Sequence, residues 1–363
     1  MACSLDLACS FICWASRSHS VGRSPDHLSM RQATIYPRRL ELSDAGKIAM
    51  HCTHREIAML ELRDDDNACA WGECAPLTGV HRESIADAIE GLRFWSALCA
   101  SMMPLGIPSA DYAISTAELQ RRNMLQPAAA HIRIATFVHA SVAEVERLSE
   151  ARAFDGVASV KMKIGRLGVR EERRVLDALL CALDDGARVR LDGNRKMSLD
   201  ACVELMQGIE PSRVEYLEDP IASPFELATL ASRTGMRIAL DETLLEWMRG
   251  EGVPDALAFA PCVTAHVVRL SCVGRIELAL RHAKLTRNHG VHAICSTAYE
   301  SNFSLRVAAI VASQMDPANV VAHGLGTSEM YAHDFVAPLV VARGVMEVQP
   351  LPVLDRTSIG ADE

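Results

Sequence analysis

Four short runs between residues 159 and 243 decide the reading of this chain: Ser159-Val160-Lys161-Met162-Lys163, Arg190-Leu191-Asp192-Gly193-Asn194, Tyr216-Leu217-Glu218-Asp219-Pro220 and Ala239-Leu240-Asp241-Glu242-Thr243. The last three each carry an apolar stretch into an acid. Lys163, Asp192, Glu218 and Asp241 recur at intervals of about 25 residues, the length of one strand, one helix and two short loops. Strands of a βα array run parallel, so the residues that end them emerge on one rim. The spacing therefore predicts three carboxylates and two ammonium groups at a common mouth.

Working outward, the period continues. Apolar runs at 265–269, 291–296 and 320–323 follow, and 131–138 precedes. With 159–163, 189–192, 214–218 and 238–241 that makes eight strands. Helices are expected at 170–183, 199–209, 224–233, 275–288 and 302–314, with Gly186, Gly235 and Gly290 placed as C-caps. The fold class is α/β: a (β/α)8-like TIM barrel over 127–326. Residues 30–126 read as α+β, with a strand at 56–62, a turn at 64–67, a return strand at 68–73, and helices at 83–100 and from Ser109, its expected N-cap, to 122. Strand-like 338–342 and 345–348, within 327–363, return to complete that layer.

Residues 1–29 fit neither pattern. They are rich in Ser and Cys, and Asp6 interrupts their one apolar run. They read as a disordered extension or a misassigned start ahead of Met30, with an organelle transit peptide as the alternative. The chain has 363 residues, 49% of them hydrophobic, and a formal net charge of −9. No basic stripe suggests nucleic acid, and no apolar run approaches the ~20 residues that span a bilayer. The twelve cysteines form no CxxC pair. They read as small hydrophobes in a reducing, cytoplasmic setting, with Cys181, Cys202 and Cys295 inside apolar runs.

For each acid the plain reading is a cap on the following helix. Three at matching strand ends favour a hard divalent cation, magnesium with manganese as a substitute, and Asn194, Asp219 and Glu242 are candidates to orient the ligands. Lysines in the middle of a barrel strand are costly on a solvent-free face. Alternation turns Lys161 and Lys163 the same way, into the mouth, where burial and a nearby cation would depress an amine pKa. A cation-bound carboxylate beside a tuned lysine suits removal of an α-proton from a small-molecule carboxylate substrate.

The four motifs in this order resemble the enolase superfamily, muconate-lactonising subgroup, and within it the o-succinylbenzoate synthases. Asp44-Ala45-Gly46, Trp71 to Gly79, Pro108-Ser109 and Ser296 to Ser301 support the resemblance, which covers 30–351. It implies an α+β capping domain over the barrel mouth, with loops near Asp44 and Thr78 closing on substrate. It implies magnesium on Asp192, Glu218 and Asp241, Lys163 as acid and base, and Lys161 steadying an enediolate. It implies that Asn194, Gly274, Ser296, Glu300 and Ser301 lie near substrate. The activity implied is the syn dehydration of 2-succinyl-6-hydroxy-2,4-cyclohexadiene-1-carboxylate to 2-succinylbenzoate, for menaquinone or phylloquinone. Cycloisomerases and N-acylamino-acid or dipeptide racemases of the subgroup, and a non-catalytic ligand-binding barrel, stay open. One position departs: Arg269 stands where the family has a second lysine. Arginine cannot act as a base, though it can lie over an anionic intermediate as a fixed cation. Racemases need a base on each face of the carbon; a syn dehydration needs one. Acid-sugar dehydratases use a His/Asp pair from the sixth and seventh strands, and no Asp lies near Arg269 along the sequence.

Overall fold

The computed structural model describes residues 32–64, 68–97, 104–139 and 141–360. The expected extension over 1–29 lies outside the described residues, as do the tip of the turn at 65–67 and the end of the helix expected to reach residue 100.

The N-terminal layer is an antiparallel sheet of β1 (Gln32–Glu41), β2 (His54–Arg63) and β3 (Cys69–Cys74), in that order. A short helix, α1 (Asp44–Met50), joins β1 to β2, and α2 (Ile85–Ala97) and α3 (Pro108–Arg121) cover the sheet. Ser109 does not cap α3. Pro108 occupies its first turn and Ile107 sits at the cap without a side-chain bond. Proline has its φ already set for the first helical position, so the cap lies two residues earlier than expected. Gly72 lets β3 meet α3 closely, because a Cβ there would stand 1.9 Å from the Ala113 carbonyl oxygen. Gly72→Ala should therefore cost about 3 kcal/mol of stability in urea denaturation, while Gly186→Ala, whose Cβ would meet nothing within 4 Å, changes it by less than about 0.5 kcal/mol.

The rest is the expected barrel. Seven parallel strands form one curled sheet: β5 (Thr136–Val138), β6 (Ser159–Lys163), β7 (Arg188–Asp192), β8 (Val214–Glu218), β9 (Ile238–Leu240), β10 (Val263–Arg269) and β11 (His292–Ser296). The helices α4 (Val142–Glu150), α5 (Val169–Ala182), α6 (Leu199–Met206), α7 (Leu227–Thr234), α8 (Glu242–Met248), α9 (Asp255–Ala258), α10 (Leu270–Val273), α11 (Ile276–Asn288) and α12 (Asn302–Met315) alternate with them. The strand expected over 131–138 is broken at Ala135. Its first half, β4 (His131–Ile134), pairs with β12 (Ala322–His323) and its second half, β5, pairs with β6. One bridge, Ser296 to Gly324, links β11 to the β12 edge. The tail hairpin, β13 (Val341–Ala342) and β14 (Val345–Glu347), turns at Arg343-Gly344, both at positive φ, and β14 runs antiparallel to β4. Farther on the tail lies on the N-terminal sheet: Trp71 Nε1 donates to the Leu354 carbonyl at 3.0 Å and Arg38 Nε to that of Ile359 at 2.7 Å.

Gly235 is the left-handed C-cap expected of α7, but Gly186 caps nothing, because α5 leaves through an extended Leu183. Cys202 and Cys295 are buried as expected, whereas Cys181 is exposed. On α5 the buried residues are Glu172, Val175, Leu176 and Leu179, and Cys181 falls on the opposite face. Among the described residues no helix is long and apolar enough to cross a membrane.

Candidate active site

Pleat alternation makes the barrel interior. Tyr216, Ala239, Ala265, Val267, Ile294 and Val321 form a small apolar cluster of their own. Two residues on along their strands come Glu218, Asp241, Arg269 and Ser296, at the C-terminal rim. Register aligns this rim: Lys163 is level with Asp192, Asp192 with Glu218, and Arg269 with Ser296.

The helix-cap reading of the acids fails on geometry. Ser198 caps α6, well beyond Asp192. Asp241 occupies the N-cap position of α8, yet its side chain makes no cap bond. Asp219, from the neighbouring loop, does that work: its carboxylate accepts from Asp241 N at 2.9 Å, Thr243 N at 2.8 Å and Thr243 Oγ1 at 2.7 Å. The Asp241 carboxylate is thereby released toward the mouth, and Asp219 fixes its backbone. The loops after β7 and β8 also pass closely, since a Cβ on Gly193 would meet Pro220 Cα at 2.5 Å. Asn194 and Arg195 take left-handed backbone there. Asn194 N donates to Asp192 Oδ1 at 3.1 Å and its amide to Glu242 Oε1 at 3.2 Å, while Arg195 pairs with Glu246 at 2.6 Å.

The three acids are almost wholly buried, at 2%, 1% and 0% exposure for Asp192, Glu218 and Asp241. Lys161 reaches between the first two: Nζ lies 2.8 Å from both Glu218 oxygens and 3.0 Å from Asp192 Oδ2. Arg269 donates to Asp241 Oδ2 and lies 3.8 Å from Glu242. Lys163 has no hydrogen-bond or ion-pair partner among the described residues. Electrostatics separates the two lysines. Burial lowers the Lys161 pKa, but Asp192 and Glu218 outweigh it and hold it above the ordinary value. Burial also lowers that of Lys163; Asp192 opposes, and Arg166, Lys161 and Arg269 add repulsion, so it stays depressed. Asp192 is lowered despite its burial, chiefly by Lys161. Burial pushes Glu218 and Asp241 up to about 7.

Among the described residues no three acid, His or Cys groups grip a common point as the side chains stand; the carboxylates lean onto Lys161 and Arg269 instead. The donor chemistry still fits a hard divalent cation. All three groups are carboxylates on adjacent strand ends, and Asp241 Oδ1 is buried without a hydrogen-bond partner.

The remaining expected residues fall into two groups. Ser296 stands beside Arg269 on the rim, and Asn194 lies farther round it, after β7. Gly274, at φ +90, packs under Pro108, where a Cβ would come within 3.3 Å. Glu300 accepts from Ser271 Oγ and from Ala298 N at 2.8 Å. Ser301 caps α12 and donates from N and Oγ to Glu73 at 3.0 and 2.5 Å. The side chains of Glu300 and Ser301 are thus engaged with protein. Two arginines escaped the sequence reading. Arg190 lies on Tyr216, grips Glu215 at 2.7 and 2.8 Å and is buried in the barrel; its place two residues before Asp192 was the available signal. Arg55, on β2, carries no such signal.

Comparison with known proteins agrees with this architecture. The Enolase C-terminal domain-like family matches residues 143–352. The chain belongs to the enolase superfamily. An o-succinylbenzoate synthase of Enterobacter sp. (strain 638) is 28% identical over 334 residues, 90% of this chain and 98% of that one. Two solved structures share the fold. The dipeptide epimerase of Methylococcus capsulatus, complexed with Mg and L-Arg-D-Lys, superposes with a TM-score of 0.69 at 20% identity, covering 89% of this chain and 98% of that one. MenC of Desulfotalea psychrophila gives 0.68 at 18%, covering 88% and 100%. This enolase-superfamily chain accordingly pairs a TIM-barrel-like body with an N-terminal cap.

Proposed function

We propose that the chain is a magnesium-dependent lyase that dehydrates 2-succinyl-6-hydroxy-2,4-cyclohexadiene-1-carboxylate to 2-succinylbenzoate, as the o-succinylbenzoate synthases do in quinone biosynthesis. The observation that carries the reading is the asymmetry of the mouth: the rim holds one amine, Lys163, with no partner among the described residues, and one guanidinium fixed by a carboxylate, Arg269. Full-length similarity to relatives bearing that name supports it.

Asp192, Glu218 and Asp241 would hold the magnesium ion, which when bound draws negative charge from the substrate carboxylate. Lys163, neutral at the start, takes the proton from the carbon bearing that carboxylate. Lys161 and Arg269 stay protonated and offset the charge that develops on the enediolate. The ammonium of Lys163 then returns the proton to the departing hydroxide on the same face. A C–H and a C–O bond break, water leaves, and the ring becomes aromatic without any oxidant. Arg269 is already protonated and cannot accept a proton, so inversion of a carbon from its other face has no base.

Purified protein with magnesium and the cyclohexadiene substrate should yield the aromatic product, read by its ultraviolet absorbance. No product, with a magnesium-dependent rise in melting temperature intact, would refute the proposal. The second reading, an epimerase like the Methylococcus capsulatus structural neighbour, predicts solvent deuterium at the α-carbon of a dipeptide or N-acylamino acid and interconverted enantiomers.

A further inference from the structure

The loop between β11 and α12 leaves the catalytic rim at Ser296, yet much of what fixes its shape comes from outside the barrel. Tyr299 sits at φ +60 without being glycine, a backbone region that needs outside support. Arg55, on β2 of the cap, reaches across and donates Nη1 to the carbonyls of Ala298 at 2.6 Å and Tyr299 at 2.5 Å. The Tyr331 hydroxyl adds a third donor, to Tyr299 O at 2.7 Å. Arg55 Nη2 turns the other way, onto the carbonyl of Ala75. That residue opens the cap loop 76–81, whose far end contacts the barrel where His81 Nε2 lies 3.6 Å from Cys272 Sγ.

Arg55 is only 5% exposed, and no carboxylate lies within ion-pair distance of it among the described residues. A buried guanidinium is strongly unfavourable unless its donors are satisfied. Here Nε has no partner and Nη1 adds only a weak contact to Met50 Sδ at 3.7 Å, so the main-chain carbonyls on two separate loops are what compensate the charge, and displacing either loop strands a buried cation. The fork geometry is specific to arginine, since a lysine offers one point charge and cannot span carbonyls on opposite sides.

We infer that Arg55 is a positioning residue that locks the cap loop 76–81 and the barrel loop 297–301 into one unit, so that the seating of the cap sets the shape of the mouth. Its consequence for turnover rests on the dehydratase reading; the locking itself does not. The test uses full-length protein with Arg55→Lys and, as a milder second variant, Tyr331→Phe. Amide hydrogen exchange should show at least tenfold faster exchange in Arg55→Lys over both 76–81 and 297–301, with β7 and β8 unchanged. Tyr331→Phe should loosen 297–301 alone. Unchanged protection in both loops, or loosening of only one in Arg55→Lys, would overturn the inference whatever the enzyme's substrate. With the cyclohexadiene substrate, KM for Arg55→Lys should rise at least tenfold while kcat stays within about threefold. A fall in melting temperature with KM unchanged would mark Arg55 as merely structural. If wild type shows no turnover, the dehydratase reading fails and the exchange result still decides the inference.

Discussion

Lys163→Ala protein should fold, bind magnesium and turn over the proposed substrate at least about 10³-fold more slowly than wild type. The side chain has no partner to abandon, so removing it leaves no orphaned group and little reason for the fold to change. No neighbour can replace it. Lys161 is pinned between Asp192 and Glu218, which hold it protonated, and Arg269 is cationic at any working pH. Lys163→Arg should be as inactive, because it restores charge without basicity. The pH profile supplies an independent check. The base must be neutral, so kcat/KM rises with pH as the free enzyme loses that proton. Burial and the cations around Lys163 lower its pKa, which puts the rising limb below the ordinary lysine range. Near-normal turnover by the alanine variant would remove Lys163 from the mechanism.

The second large effect is expected at Asp241. Asp241→Asn should abolish detectable turnover and the magnesium-dependent rise in melting temperature, and should destabilise the metal-free protein by about 3 kcal/mol. The stability loss has its own cause. Arg269, 15% exposed at its side chain, would lose the carboxylate that compensates its burial. Helix α8 should survive, since its first turn is held by Asp219 and not by Asp241. Circular dichroism, calorimetry with and without magnesium, and the product assay separate these effects. A variant that still gains stability from magnesium would show that the ion is held elsewhere.

Much of this site was legible before any coordinates. A parallel barrel repeats at a nearly fixed length and ends every strand on one rim, so acids in phase at 192, 218 and 241 could be brought together from numbering alone. What numbering lacks is side-chain reach. It could not show Lys161 spanning two carboxylates, Arg269 closing on the third, or Asp219 taking over the capping that Asp241 declines. The cap contributes through contacts between residues some 240 positions apart, such as Arg55 with Ala298, and no local pattern encodes those. The errors in the fold were of the same kind. The break at Ala135 arises because β14 takes the place beside β4 that β6 takes beside β5, a competition settled only in three dimensions. Helix α4 was not placed, although Ser141 accepts from Glu144 N at its start.

The ring of strands is not equally strong all the way round. From β5 to β11 continuous ladders hold it, but between β11 and β12 the described residues show one bridge, in which Gly324 N donates to the Cys295 carbonyl at 2.9 Å, and one ring-nitrogen contact, from Cys295 N to His323 at 3.0 Å. A hoop gives first at its thinnest join, so thermal breathing belongs at this seam. The three carboxylates stand on the far, better-braced arc, on β7, β8 and the end of β9, so the seam can loosen without moving them.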